Sequence, residues 1–160
     1  ELPQEVLISC YSDLSDKVAL VASAGWQDWS NFGKSTLTLR STNKTSFEAD
    51  RNFKDTWHAA IGARYRFAEP WLWSVGFAYD SSPVDDEDRT PDMPLDRQIR
   101  LATGLQYDWN ENVTIGGAYT YIDLGDAEIN QQGGPLQGNL KGDYKTNHDN
   151  TLALNLIWRF

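Results

Sequence analysis

The chain has 160 residues with 14 basic and 23 acidic side chains, a formal charge of −9, and this acidic balance excludes a general phosphate- or nucleic-acid-binding surface, which needs a basic patch. The single cysteine, Cys10, excludes an intramolecular disulfide and a cysteine-based metal cluster. No stretch approaches the ~20 apolar residues of a membrane-spanning helix. That last exclusion does not reach β-barrels, whose strands alternate and so average out in any hydropathy window.

By length the chain is one domain, residues 1–160. It begins with Glu1 rather than Met, which is the expectation for a processed or excerpted chain whose secretory signal has been lost upstream.

In chain order, the first predicted strand is a less regular one near 5–11. In the next, Val18, Leu20, Ala22, Ala24 and Trp26 alternate with Ala19, Val21 and Ser23. A further irregular strand is expected over 34–41. Over 54–67, Trp57, Ala59, Ile61, Ala63, Tyr65 and Phe67 share one face, with His58, Ala60, Gly62, Arg64 and Arg66 on the other. Over 71–80, Trp71, Trp73, Val75, Phe77 and Tyr79 oppose Leu72, Ser74, Gly76, Ala78 and Asp80. Over 97–109, Ile99, Leu101, Leu105, Tyr107 and Trp109 oppose Arg100, Ala102, Gly104, Gln106 and Asp108. Val113, Ile115, Tyr119 and Tyr121 oppose Thr114, Gly116, Ala118 and Thr120. The chain closes on TLALNLIWRF, with Leu152, Leu154, Leu156, Trp158 and Phe160 on one face. A period of two marks a strand with different environments on its two sides. That is about eight strands and no convincing helix, and most runs reach the ~9–11 residues a membrane barrel strand needs, beyond the ~5–6 of soluble strands.

The connections divide into two kinds. RFAEPW, YDWNEN and WSNFGK read as short turns, whereas STNKTSFEADRNF, SSPVDDEDRTPDMPL and the segment 123–149 are long and polar. Short turns on one side and long loops on the other are the pattern of outer-membrane barrels, and only SDLSDK falls out of step. Trp26, Trp29, Phe32, Tyr65, Phe67, Trp71, Trp73, Tyr107, Trp109, Trp158 and Phe160 are expected at the short-turn ends, and Trp57, Tyr79, Tyr119 and Tyr121 nearer the long loops. Two aromatic belts are what a bilayer selects. The fold class expected is therefore all-β, an antiparallel up-and-down transmembrane β-barrel. It is either the C-terminal portion of a larger barrel or a small closed one, in a bacterial outer membrane and in contact with its lipid and lipopolysaccharide. A soluble lipocalin-like barrel or sandwich is the competing architecture. The alternating terminal run Leu152, Leu154, Leu156, Trp158, Phe160 resembles the C-terminal signal by which the barrel-assembly machinery recognises such proteins.

Among the charged residues, Arg51 and Lys54 flank Phe53 at the entrance to a strand, a cation beside an apolar surface that an anionic head group would want, or simply a solvated loop charge. His58, Arg64, Arg66, Asp80 and Arg100 fall on polar strand faces and are expected in a barrel lumen, where the arginines would pair with Asp80 or Asp108. Asp85, Asp86, Glu87, Asp88 and Asp92 form an acidic cluster without the spacing of a calcium loop. His58 and His148 are far apart and have no cysteine partner, so neither a metal nor another cofactor is expected. An enzymatic reading would need His148 and Asp149 to meet Ser81 or Ser82 at one rim, and no motif supports it. A purely structural eight-stranded barrel with a solid interior is the other alternative.

Several stretches, in order along the chain, resemble the long-chain fatty acid transporter family of outer-membrane proteins, the FadL/TodX type. They are 2-LPQEV-6, 26-WQDWSNF-32, 53-FKDTWHAAIGARYRF-67, 77-FAYDSSPV-84, RTPDMPLDR at 89–97, 119-YTYI-122 and the closing aromatic. The resemblance implies a barrel of about fourteen strands with an N-terminal plug, of which this chain matches the C-terminal part, without plug or first strands. It also implies uptake of hydrophobic molecules, fatty acids or aromatic hydrocarbons, through an internal apolar pocket, and no enzymatic activity.

Overall fold

The computed structural model describes residues 3–30, 51–132 and 138–160, together with the backbone of two short strands between the first two stretches. Among the described residues every regular element is a strand. The main sheet is antiparallel and up-and-down. Its strands are β1 (Gln4–Ser15), β2 (Val18–Asp28), β5 (Thr56–Ala68), β6 (Trp71–Asp80), β7 (Gln98–Asp108), β8 (Val113–Asp123) and β11 (His148–Trp158), adjacent in that order. Each has 10 to 13 residues, the length that crosses a bilayer at a tilt. The sheet is not closed, and β1 and β11 form its two edges.

Two hairpins stand apart from this sheet: β3 (Ser35–Arg40) with β4 (Lys44–Ala49), and β9 (Ile129–Gln132) with β10 (Asn139–Gly142). The first corrects the expectation of a sheet strand over 34–41. β2 pairs directly with β5, Val18 facing Tyr65 and Gln27 facing Thr56, so 35–40 belongs to a hairpin inside one long connection. Six residues span too little of a bilayer, and their alternation serves a local ladder equally well. Expected Phe32 lies outside the described residues.

This correction restores the alternation of connections. SDLSDK is now a short turn between β1 and β2, the connection from β2 to β5 is a long one, and among the described residues every short turn lies at the same end of the sheet. The short turns are built alike. Ser15 Oγ accepts the N–H groups of Lys17 and Val18 at 3.3 and 3.1 Å, and Asn110 Oδ1 accepts those of Asn112 and Val113, both at 2.9 Å. These are side chains imitating a backbone turn. The turns are then stitched to one another by Arg66 N–H to Lys17 O, Asp108 N–H to Pro70 O and Arg159 N–H to Asn112 O, at 2.8 to 3.0 Å.

The two faces of the sheet differ in shelter. On the apolar face, Leu152 and Leu154 are 72% and 81% exposed, and Ile61, Phe77 and Leu101 are also open. The sheet's buried residues, Ala19, Leu72, Thr114 and Gly116, all lie on the polar face. An open sheet that buries its polar side and leaves a continuous band of Leu, Ile, Phe and Trp uncovered is designed for an apolar surrounding. A soluble barrel would do the reverse. At the short-turn end of the band, rings follow one another from Tyr65 to Phe67, Trp71, Tyr107 and Trp109, with centroids 4.5 to 6.4 Å apart. Trp57, Tyr79 and Tyr121 stand toward the long loops, as expected, whereas Tyr119 lies near mid-sheet, in one row with Thr103 and Val75. Trp26 joins them there, facing Trp57, with Trp29 just beyond the end of β2. Their expected place at the short turns was a consequence of the misread connection.

Candidate functional site

The sheet's register assembles a polar group on the sheltered face. His58 of β5 faces Asp80 of β6, and Arg100 of β7 faces Ala78, one step from Asp80. Asp80 Oδ1 lies 2.8 Å from His58 Nδ1, and His58 Nε2 lies 3.3 Å from Ser23 Oγ of β2. Arg100 Nη2 comes within 2.7 Å of Asp80 Oδ2. That oxygen is buried without an aligned hydrogen bond, so the contact is one of charge rather than a directed bond. Nearer the short turns a second group forms. Arg66 donates to Asp108 Oδ2 at 3.1 Å, and Asp108 Oδ1 accepts from Thr114 at 2.8 Å and from Gln106 at 3.4 Å. The expected pairings of Arg66 and Arg100 with Asp108 and Asp80 are thus present. Arg64 has no carboxylate partner among the described residues and lines a polar recess with Tyr11, Asp13 and Lys17.

Ser23, His58 and Asp80 stand in the order of a nucleophile, a base and an orienting carboxylate. The chemistry stops there. Ser23 sits in mid-sheet between Ser9 and Ala60, so the neighbouring backbone N–H groups are spent on the ladders and none is left to cradle an oxyanion. The other serine–histidine combination is dispersed. Ser81 Oγ accepts the Trp57 N–H, Ser82 Oγ donates to Val84 O, and the His148 ring lies against Tyr121.

At the long-loop end the segment 51–54 is fastened to the loop between β6 and β7. Arg51 pairs with Asp92 at 3.2 Å and reaches Met93 Sδ at 3.6 Å. Asn52 donates to Asp88 at 2.7 Å, and Lys54 pairs with Asp85. Phe53 meets the edge of Trp29 at 6.4 Å. Both cations are about half-exposed and already face a carboxylate. Hydrogen bonding from Thr90, then the Arg51 charge, holds the Asp92 carboxyl below its ordinary range. The hydrogen bond to Asp123, at 2.9 Å, raises the Arg97 guanidinium above its ordinary value.

Sequence reasoning missed Arg89. It is 1% exposed, the centre of the loop cluster. Its guanidinium takes Asp86 at 2.5 Å, Leu95 O at 2.7 Å, Val84 O at 3.2 Å, Asp96 at 3.4 Å and Glu128 O. A buried charge of this kind is tolerable only when fully hydrogen-bonded. The signal was a single cation inside the run DDEDRT, which reads on its own as a solvated acidic loop. Asp85, Asp86, Asp88 and Asp92 are in fact committed to Lys54, Arg89, Asn52 and Arg51. Around Arg89 lies a small conventional core of Val84, Ala127 and Ile129.

A meandering sheet of bilayer-spanning strands with an outward apolar band, a polar inner face, tight turns at one end and knitted loops at the other defines an outer-membrane β-barrel wall. The family model for the outer membrane protein transport proteins (OMPP1/FadL/TodX) matches residues 1–160. The chain belongs to this family, which is one of transporters rather than enzymes and resides in the outer membrane of Gram-negative bacteria. It is similar to the long-chain fatty acid transport protein of Salmonella typhi, 29% identical over 142 residues, covering 88% of this chain and 32% of that protein. In fold it is similar to a crystal structure of a Pseudomonas aeruginosa FadL homologue, with TM-score 0.76 and 24% identity over 96% of this chain and 34% of the other. It is also similar to the Ralstonia pickettii toluene transporter TbuX, with TM-score 0.60 and 15% identity over 98% of this chain and 33% of the other. The chain spans about a third of the length of the proteins it matches.

Proposed function

We propose that this chain supplies part of the wall and the outer loop cluster of a protein that takes up hydrophobic molecules, long-chain fatty acids or aromatic hydrocarbons, across the outer membrane. The polar face of β2, β5, β6, β7 and β8 lines the interior, with His58, Arg64, Arg66, Asp80 and Arg100 in the lumen. The observation that carries this reading is the match of the outer membrane protein transport family to residues 1–160, and the polar face agrees with it in presenting a shallow floor of small side chains, Ser23, Ala60, Gly62, Gly76, Ala78 and Ala102. The apolar band contacts membrane lipid and lipopolysaccharide, and the run Leu152, Leu154, Leu156, Trp158, Phe160 is read by the barrel-assembly machinery.

The test is uptake of radiolabelled hexadecanoate and toluene by cells lacking their own route and expressing the full-length parent protein. Uptake of either above empty-vector cells supports the reading, and uptake of neither sinks it. Within the same reading, Arg51, Phe53 and Lys54 form an entrance contact for a carboxylate. Replacing Arg51 and Lys54 together by alanine should weaken hexadecanoate binding by about 1–3 kcal/mol and leave toluene unchanged. Equal hexadecanoate affinities in both forms would remove these residues from the path.

A further inference from the structure

We infer that His58 is a proton switch built into the inner wall: when its ring takes up a second proton, the floor of small side chains beside it holds neutral apolar molecules less tightly. The inference rests on the uptake reading above and adds a means of regulation to it.

The register sets the ring among its neighbours. Gly25, His58, Asp80 and Gln98 form one row across β2, β5, β6 and β7, and Ser23, Ala60, Ala78 and Arg100 form the next, further from the long loops. Rows of one face lie two residues apart, roughly 7 Å along the strands, a step that the longer side chains bridge. Asp80 Oδ1 is 2.8 Å from His58 Nδ1, Ser23 Oγ is 3.3 Å from Nε2, and Arg100 is ion-paired with the other Asp80 oxygen at 2.7 Å. To these two rows β1 adds only Leu7 and Ser9. Further charges on this face stand two strands away, Glu5 of β1 from His58 and Asp149 of β11 from Arg100. Lys54, above His58 on the chain, is spent on Asp85.

The contacts fix where each proton sits. A carboxylate only accepts, so Nδ1 carries the proton shared with Asp80. In the neutral ring Nε2 is then an acceptor, and Ser23 donates to it. One anion, Asp80, faces one cation, Arg100, and the group is neutral. A second proton on the ring goes to Nε2. Ser23 must then accept instead of donate, its own hydroxyl proton turns elsewhere, and one anion faces two cations. Ser23 and Arg100 both line the floor formed with Ala60, Gly62, Gly76 and Ala78, so both changes face whatever lies on it. An apolar molecule there would take a net charge and a loose hydroxyl donor out of water without pairing either, which is costly. Histidine is the side chain whose ordinary titration falls between about pH 5 and 8. The other histidine of this chain, His148, has its ring against Tyr121 and takes no part in the group.

The experiment measures binding of radiolabelled toluene, a neutral probe, to the full-length parent protein in nanodiscs at about pH 5 and about pH 8, with empty nanodiscs as the blank. Wild type should bind at least about fivefold more weakly at the lower pH, the small end of ordinary coupling between two sites. His58→Gln, which carries no charge at either pH, should bind equally at both and near the tighter wild-type level. His58→Arg, charged at both, should bind equally at both and near the weaker level. His148→Gln should keep the wild-type profile. A wild type whose binding ignores pH overturns the switch, as does a His58→Gln protein that keeps the wild-type dependence. If neither His58 variant assembles, the wild-type protein decides by NMR. The carboxyl carbon of Asp80 and the guanidinium carbon of Arg100 should move with the same midpoint as the His58 ring, and resonances that stay in place overturn the proposal. No toluene binding at either pH removes the uptake reading and the switch with it, whereas binding that ignores pH removes the switch alone.

Discussion

The sheet and the loop cluster above it are built for different solvents. The sheet puts its large apolar side chains outside, where Leu152, Leu154 and Leu156 are uncovered, and shelters Thr114 and Leu72 on its polar face. The loops follow the ordinary rule, packing Val84, Ala127 and Ile129 around a buried Arg89. Water drives the loop core together, whereas the apolar band needs lipid to be satisfied at all. One chain therefore carries two inverted hydrophobic plans. The boundary between them runs through Trp57 and Tyr79, amphipathic rings at the loop ends of β5 and β6 and suited to an interface.

The sharpest way to break this comparison is to remove the charge at the centre of the loops. Arg89→Ala leaves Asp86 and Asp96 without their buried partner and should cost the loop cluster about 3–5 kcal/mol. Limited proteolysis should then cut between residues 81 and 97 while the heat-modifiable mobility of the barrel is unchanged. Loss of both together would show that sheet and loops are one cooperative unit.

Next in size is a paired test on β11. Leu154→Arg places a charge in the lipid-facing band and should destabilise the inserted protein by about 2–4 kcal/mol. Ala153→Arg, one residue away on the opposite face, should change it by less than about 1 kcal/mol. Denaturant unfolding of the full-length protein in phospholipid vesicles measures both. Similar costs for the two would mean that the faces do not see different media.

A smaller effect belongs to Gly125, which has φ +70° and lies against the Asp96 side chain. Gly125→Ala adds a Cβ in a left-handed conformation at that contact and should loosen the loop after β8 by about 1–2 kcal/mol. Hydrogen exchange at Leu124 and Gly125 would report it, with the sheet amides as an internal control.

The smallest is a pH effect. The Asp92 carboxyl is held below its ordinary range by Thr90 and Arg51, so the unfolded loop binds its proton more readily than the folded one. The stabilisation is full above the unfolded value of about 4 and is lost as pH falls through the lower folded value. Protease sensitivity of the loop between β6 and β7 should rise only below about pH 4, and Asp92→Asn should flatten that profile. A rise at neutral pH would assign the loop's order to something else.

The sequence by itself determined seven strands that span and which face of each is apolar, because a period of two and a length of ten or more residues are properties of each segment alone. It also brought forward Arg66, Arg100, Asp80 and Asp108 as partners, since polar faces of neighbouring strands must meet. Length could have settled 34–41 too, for β3 is only six residues long, but the Gly, Asn and Ser of WSNFGK are equally at home in a tight turn and in the start of a long loop. Only the tertiary structure decided that β2 pairs with β5, and with that pairing the end of the sheet at which Trp26 lies. It alone set the register that brings Ser23, His58, Asp80 and Arg100 together across four strands, and the closure of the β6–β7 loop and the segment after β8 around Arg89. Pairing partner and register are relations between segments far apart in the chain, fixed by which ladders fit together, and no local pattern encodes them.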